Sequence, residues 1–158
     1  MTDTVYVTTK AIISRFLEEA EKYERGAPST FLDYARYKDA EVYVSHEVFE
    51  EMAKKLLSKD EELYKMTDAL VQDGSALIGT STDFGNEMNN IAVIAGKLAM
   101  TKPRKNVIVV KSTEDNIDEH MVKKFAQVES FRNLIILDVD SFVQIAKRDD
   151  EFRALIGE

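Results

Sequence analysis

Five short runs of β-branched and aliphatic residues alternate along this chain with stretches whose apolar positions recur at helical spacing. Val5-Tyr6-Val7, Val42-Tyr43-Val44, Ala76-Leu77-Ile78, Val107-Ile108-Val109-Val110 and Leu134-Ile135-Ile136-Leu137 read as strands. The last two contain no polar residue, the pattern of strands buried on both faces of a parallel sheet. Helical periodicity covers residues 11–25, 30–37, 47–57, 61–72, 86–100, 117–129 and 141–156, the last in one or two pieces. Breakers fall between these stretches, at Gly26-Ala27-Pro28, Asp73-Gly74, Gly79, Gly85 and Lys102-Pro103. Strands alternating with helices predict parallel strands joined by right-handed crossovers. The expected fold is therefore α/β, a three-layer sandwich whose mainly parallel five-stranded sheet is flanked by helices.

Length narrows this to one domain spanning 1–158, because 158 residues at 44% hydrophobic content fill one core and not two. No apolar run approaches the ~20 residues that span a bilayer, and the start MTDTVYVTTK lacks a basic, then apolar, secretory pattern. A cytoplasmic location with no membrane partner is the expectation. With no cysteine and only His46 and His120, a bound metal would sit among oxygen ligands, which suits Mg²⁺ or Mn²⁺. The net charge of -8 argues against a surface that coats nucleic acid. Lys102, Arg104 and Lys105, and Lys123, Lys124 and Arg132, read either as local basic patches or as solvated charges.

Candidate chemistry gathers where strands end. In EVYVSHEVFEEMAKK, residues 41–55, Ser45 is placed to cap a helix whose apolar face is Val48, Phe49, Met52, Leu56 and Leu57, leaving Glu50 or Glu51 at the edge of that face. In GTSTDFGNEMNN, residues 79–90, Asp83 reads as a turn or cap residue or as a metal ligand. Glu87 lies in the first turn of the next helix, where the dipole favours an acid. The glycine spacing there fits neither the dinucleotide fingerprint nor the P-loop. In KSTEDNID, residues 111–118, Glu114, Asp115 and Asp118 crowd a helix start that Ser112 or Thr113 could cap. Asp138 and Asp140 follow the last strand and read as the start of a capped helix. The C-terminal ends of parallel strands share one edge, so Glu51, Asp83, Glu87, Asp115 and Asp118 are expected to converge there around a cation. Mg²⁺ in such a place activates water and steadies the charge developing on a phosphodiester.

The segments VYVSHEVFEEM, NNIAVIAGKLA and VIVVKSTED, together with the order of elements, resemble the PIN domain over nearly the whole chain. The resemblance implies a parallel sheet with flanking helices and, in active members, Mg²⁺- or Mn²⁺-dependent cleavage of RNA or DNA. Together with the acids read at the strand ends, it makes Glu51, Asp83, Glu87 and Asp115 the candidate catalytic carboxylates, and Glu51, Glu87, Asp115 and Asp118 the candidate metal ligands; of these the resemblance itself points to Glu51 and to the neighbourhoods of Glu87 and Asp115. The chain also departs from the pattern. Where active members resemble LDTN, it has Val7-Thr8-Thr9-Lys10, so Thr8 stands for the aspartate and Lys10 for the asparagine. The aspartate expected on the helix after the third strand aligns with Glu87, Met88 or Asn89, and Thr113 stands where another is usual, two residues before Asp115. A threonine supplies no charge to offset the dehydration of Mg²⁺, and a lysine repels it.

Two principal expectations follow. One is a metal-dependent endoribonuclease; the other is a catalytically inactive PIN-like module, a pseudoenzyme that binds a protein or a nucleic acid. A third is a nucleotide-binding Rossmann-like domain that uses the turn at residues 79–85. Apart from the acids, His46 reads as a partly exposed residue at a helix start. Phe31, Tyr34 and Tyr37 fall at three-residue spacing and, with Tyr23, either pack the first two helices or stack on bases. The oligomeric state is left open.

Overall fold

Val5, Val7, Val107 and Val109 point to one side of a central sheet while Tyr6, Val42, Val44 and Val110 point to the other, and this alternation divides the interior into two cores. The computed structural model describes residues 3–59, 65, 67, 69–78 and 86–158. The elements in chain order are β1 (Thr4–Thr8), α1 (Lys10–Lys22), α2 (Ala27–Tyr37), β2 (Val42–Val44), α3 (His46–Lys59), β3 (Val71–Asp73), a helical turn α4 (Ser75–Ile78), α5 (Glu87–Thr101), β4 (Asn106–Lys111), α6 (Glu119–Ala126), β5 (Leu134–Asp138), α7 (Val139–Ala146) and α8 (Asp150–Leu155). The five strands form one all-parallel sheet in the order β3-β2-β1-β4-β5. α1, α2, α3, α7 and α8 pack on one face, and α5 and α6 on the other. The α/β three-layer arrangement read from the sequence is therefore the observed one. Among the described residues no helix is long and apolar enough to cross a membrane.

Strand order dictates where a site can form. The chain steps outward from β1 through β2 to β3, then returns to the other side of β1 to lay down β4. The reversal leaves a crevice beyond the C-terminal ends of β1 and β4, the usual location of sites in open α/β sheets. Thr8 and Val110 are register partners at that end.

The third strand is a correction. It runs over Val71–Asp73, so the expected helix of residues 61–72 ends before Val71, and the expected strand Ala76-Leu77-Ile78 falls in a helical turn. The cause is local. The Asp73 carboxylate accepts from the Ser75 amide at 2.9 Å and its hydroxyl at 2.7 Å, which turns the chain at Gly74. Gly74 itself donates to the Val44 carbonyl at 2.7 Å, and a Cβ there would lie 2.7 Å from that oxygen and 2.4 Å from Ile94 Cδ1. Val71 is buried against Val42 and forms the strand instead. β5 is a second correction: it is the sheet's edge, and Ile135 is 46% exposed, so this apolar run is not buried on both sides. The helix expected at 117–129 is the shorter α6, stopped by Gln127 in the left-handed conformation. Residues 141–156 form two pieces, joined at Asp149, which caps α8 by accepting from the Phe152 amide at 3.2 Å.

Phe31, Tyr34 and Tyr37 pack α2 against α7 and α8. Phe31 and Phe142 meet edge to face at 5.2 Å between centroids, Tyr6 lies 5.4 Å from both, and Tyr34 lies 4.8 Å from Phe152. Tyr23 takes no part in that cluster; it ends α1 in the left-handed conformation and is 96% exposed. Truncating fully buried Phe31 to alanine is expected to lower the unfolding free energy by about 3–5 kcal/mol in urea titration. Tyr23→Ala is expected to change it by no more than about 0.5 kcal/mol.

Candidate functional site

β1 ends in Thr8-Thr9 and passes at once into α1, so three consecutive residues meet the crevice in different ways. Thr8 is fully buried, and its hydroxyl donates across the sheet to the Val110 carbonyl at 2.7 Å. Thr9, equally buried, donates to Asp115 Oδ2 at 2.6 Å, and the Ser112 amide donates to the same oxygen at 3.0 Å. Asp115 is thereby tied both to β1 and to its own turn after β4. The amide of Lys10, the first residue of α1, donates to Glu87 Oε1 at 3.0 Å. The hydroxyl of Ser45, between β2 and α3, donates to Glu87 Oε2 at 2.8 Å. Ser45 was expected to cap α3, but its hydroxyl is turned to Glu87 instead.

Glu87 thus joins the ends of β1 and β2 from the first residue of α5, with one carboxylate oxygen assigned to each. Burial raises its proton affinity above the ordinary glutamate value, and the charges of Glu47 and Asp115 raise it further. The hydrogen bonds from Ser45 and Lys10 work against that rise without cancelling it. Glu51 stands outside this network: its Oε2 lies 3.8 Å from the Lys10 ammonium, with both side chains about half exposed. A pair so open to water contributes little.

The remaining candidates go elsewhere. Asp118 caps α6, accepting from the Met121 amide at 2.8 Å, and is not drawn toward Glu87. Asp138 pairs with the Lys111 ammonium at 3.1 Å and makes no side-chain cap to α7. Glu114 is exposed. Asp83 and the turn at 79–85 lie outside the described residues.

A second polar cluster, not expected from sequence, lies at the ends of β2 and β3. His46 opens α3 with Nδ1 2.6 Å from Asp73 Oδ2 and Nε2 3.2 Å from Glu50 Oε1. The bond to Asp73 raises the imidazole's proton affinity, desolvation opposes it, and the charges of Asp73 and Glu50 add to the rise. Burial pushes the Asp73 carboxyl up, but the bonds from Ser75 and His46 outweigh it and hold it below the ordinary value. The signal lies in the register: Asp73 is the partner of Val44, two residues before His46. A third strand placed at Ala76-Leu77-Ile78 hides that register.

Among the described residues no three His, Asp or Glu side chains are grouped so that they could hold a metal ion. Both oxygens of Glu87 and one of Asp115 already accept from the protein, and Lys10 puts an ammonium beside Glu51.

Comparison with protein-family models gives no match. Comparisons with curated proteins and with solved structures give none either.

Two pH effects follow. The folded His46 has a raised pKa, so its contribution is fully present below the unfolded imidazole value and is lost as pH rises through the folded one. His46→Ala should flatten the urea-midpoint profile from near-neutral to mildly alkaline pH; an unchanged slope there would refute a stabilising bond between His46 and Asp73. For Glu87 the folded carboxyl holds its proton longer than the unfolded one, so stability falls as pH rises from the ordinary glutamate range through the raised value. Glu87→Gln, whose oxygen can accept from Lys10 and whose amide can donate to Ser45, should keep the fold and remove that mildly acidic slope.

Proposed function

We propose that the chain is a PIN-like module without metal-dependent catalysis, acting by binding a protein partner. One observation carries the reading: the acids at the switch point spend their oxygens on the protein's own donors. Glu87 accepts from Lys10 and Ser45, and Asp115 from Thr9 and Ser112. A carboxylate has about four lone-pair sites, and each one given to a backbone amide or a hydroxyl is one fewer for a cation or a water, so these bonds support the role of a structural joint. The first turn supports the same reading. In PIN-like terms Thr8 occupies the place of the metal-binding aspartate, and its hydroxyl is engaged with the Val110 carbonyl. A net charge of -8 favours a protein partner over the phosphate backbone of RNA.

A second reading, a Mg²⁺- or Mn²⁺-dependent endoribonuclease, draws support from the electrostatic contact of Glu87 with Glu47 and Asp115. One experiment separates the two. Purified protein incubated with single-stranded RNA and Mn²⁺ should leave the RNA intact, and titration calorimetry should register no heat of Mn²⁺ binding in the millimolar range. RNA cleavage abolished by Glu51→Gln or Glu87→Gln would overturn the first reading in favour of the second.

A further inference from the structure

The two edges of the sheet are not alike. β3, at one edge, has only three residues and ends in Asp73, which His46 and Ser75 hold. β5, at the other, has five, and four of them in succession, Leu134 to Leu137, are apolar. Natural sheets guard an open edge with lysine, proline, a bulge or a short strand, because its unpaired amides and carbonyls are a template for another strand. Leu134–Leu137 carries none of these residues, and Ile135 is among the most exposed large hydrophobic side chains of the protein. Among the described residues β5 pairs with β4 alone.

The backbone says which groups are open. Val107 donates to the Asn133 carbonyl at 2.7 Å, so odd-numbered residues of this segment direct their amides and carbonyls to β4. Leu134, Ile136 and Asp138 therefore present theirs outward. Their side chains lie on the α5/α6 face with Val107 and Val109, while Ile135 lies on the α7/α8 face beside Ile108.

We propose that β5 pairs antiparallel with β5 of a second copy of this chain, on a twofold axis through Ile135, joining two five-stranded sheets into one. In that register Leu134 of each copy faces Ile136 of the other as a hydrogen-bonded pair, using the outward-facing groups. Ile135 faces Ile135 across the axis and buries its exposed side chain. Arg132, exposed in the bend just before the strand, comes near Asp138 at the far end of the other copy's strand, where its charge joins that of Lys111 on the same carboxylate, once at each end. Other pairings are poorer. A parallel, in-register pairing sets Arg132 against Arg132 and Asp138 against Asp138. Moving the axis to Ile136 sets Leu134 against Asp138. The chosen arrangement is isologous and closes as a dimer, with no open edge of β5 left for a third copy.

Sedimentation equilibrium on the intact chain, from low to high micromolar concentration, tests this together with cysteine cross-linking, which the absence of native cysteine makes clean. The mass should rise toward that of a dimer, and Ile135→Lys, a change at an exposed position, should stay monomeric over the same range with an unaltered circular dichroism spectrum. A non-hydrogen-bonded antiparallel pair sets its two Cα atoms about 4.5 Å apart, within disulfide reach. Ile135→Cys should thus form a covalent dimer in air at least about tenfold faster than Tyr23→Cys, a more exposed position at the end of α1, which packs against α2 and α3. A chain that remains monomeric throughout, a lysine variant that dimerises as well as the parent, or equal cross-linking at the two positions would overturn the proposal.

Discussion

A parallel sheet delivers the C-terminal ends of its strands to one edge, where two layers of helices diverge and every backbone and hydroxyl group must still find a partner. In this chain one carboxylate meets that demand for two strands. Glu87 reaches back from the start of α5 to the Lys10 amide after β1 and the Ser45 hydroxyl after β2, while Thr9 and Asp115 join β1 to the turn after β4. The strand order reverses between β1 and β4, and that is the seam on which the demand falls. The polar network spans that seam. It also fixes the geometry from which β4, β5 and the helices on both faces are hung.

The same constraint explains why an edge rich in acid need not be a metal site. Carboxylates brought together repel unless something positive separates them. A cation is one solution. Here the positive ends are amides at helix starts and turns, hydroxyl protons of Thr9 and Ser45, and the Lys10 ammonium facing Glu51. Glu87 keeps some cost of this arrangement in its raised proton affinity. The reading of the protein as a PIN-like binding module rests on this allocation of lone pairs.

Much of the fold was legible from periodicity. β2 coincides with its apolar run, β1, β4 and β5 extend theirs by one or two residues, and α5 opens one residue after the expected start because Asn86 caps it. What failed was the stretch after α3, where Val71-Gln72-Asp73 is too short to show alternation and was absorbed into a helical pattern. There the Asp73 to Ser75 turn and the close approach of Gly74 to Val44 decided the outcome, both of them tertiary facts. At the site, sequence reasoning found the right edge and gathered Glu87 and Asp115 there. It could not see that Ser45 and Thr9 would face those acids rather than cap their own helices, nor that Asp118 would cap α6 instead of joining them. Side-chain hydroxyls choose between local and cross-strand partners only when strand order is known, and five strands offer many orders.

The central claim, that Glu87 is a structural joint, is tested most directly by the unfolding free energy of Glu87→Ala at neutral pH. A joint that accepts from the Lys10 amide and the Ser45 hydroxyl predicts a loss of about 1–3 kcal/mol, because both donors lose that acceptor. A carboxylate held in place for catalysis against the repulsion of Glu47 and Asp115 would be relieved by its removal. A variant as stable as the parent chain, or more stable, would contradict the account.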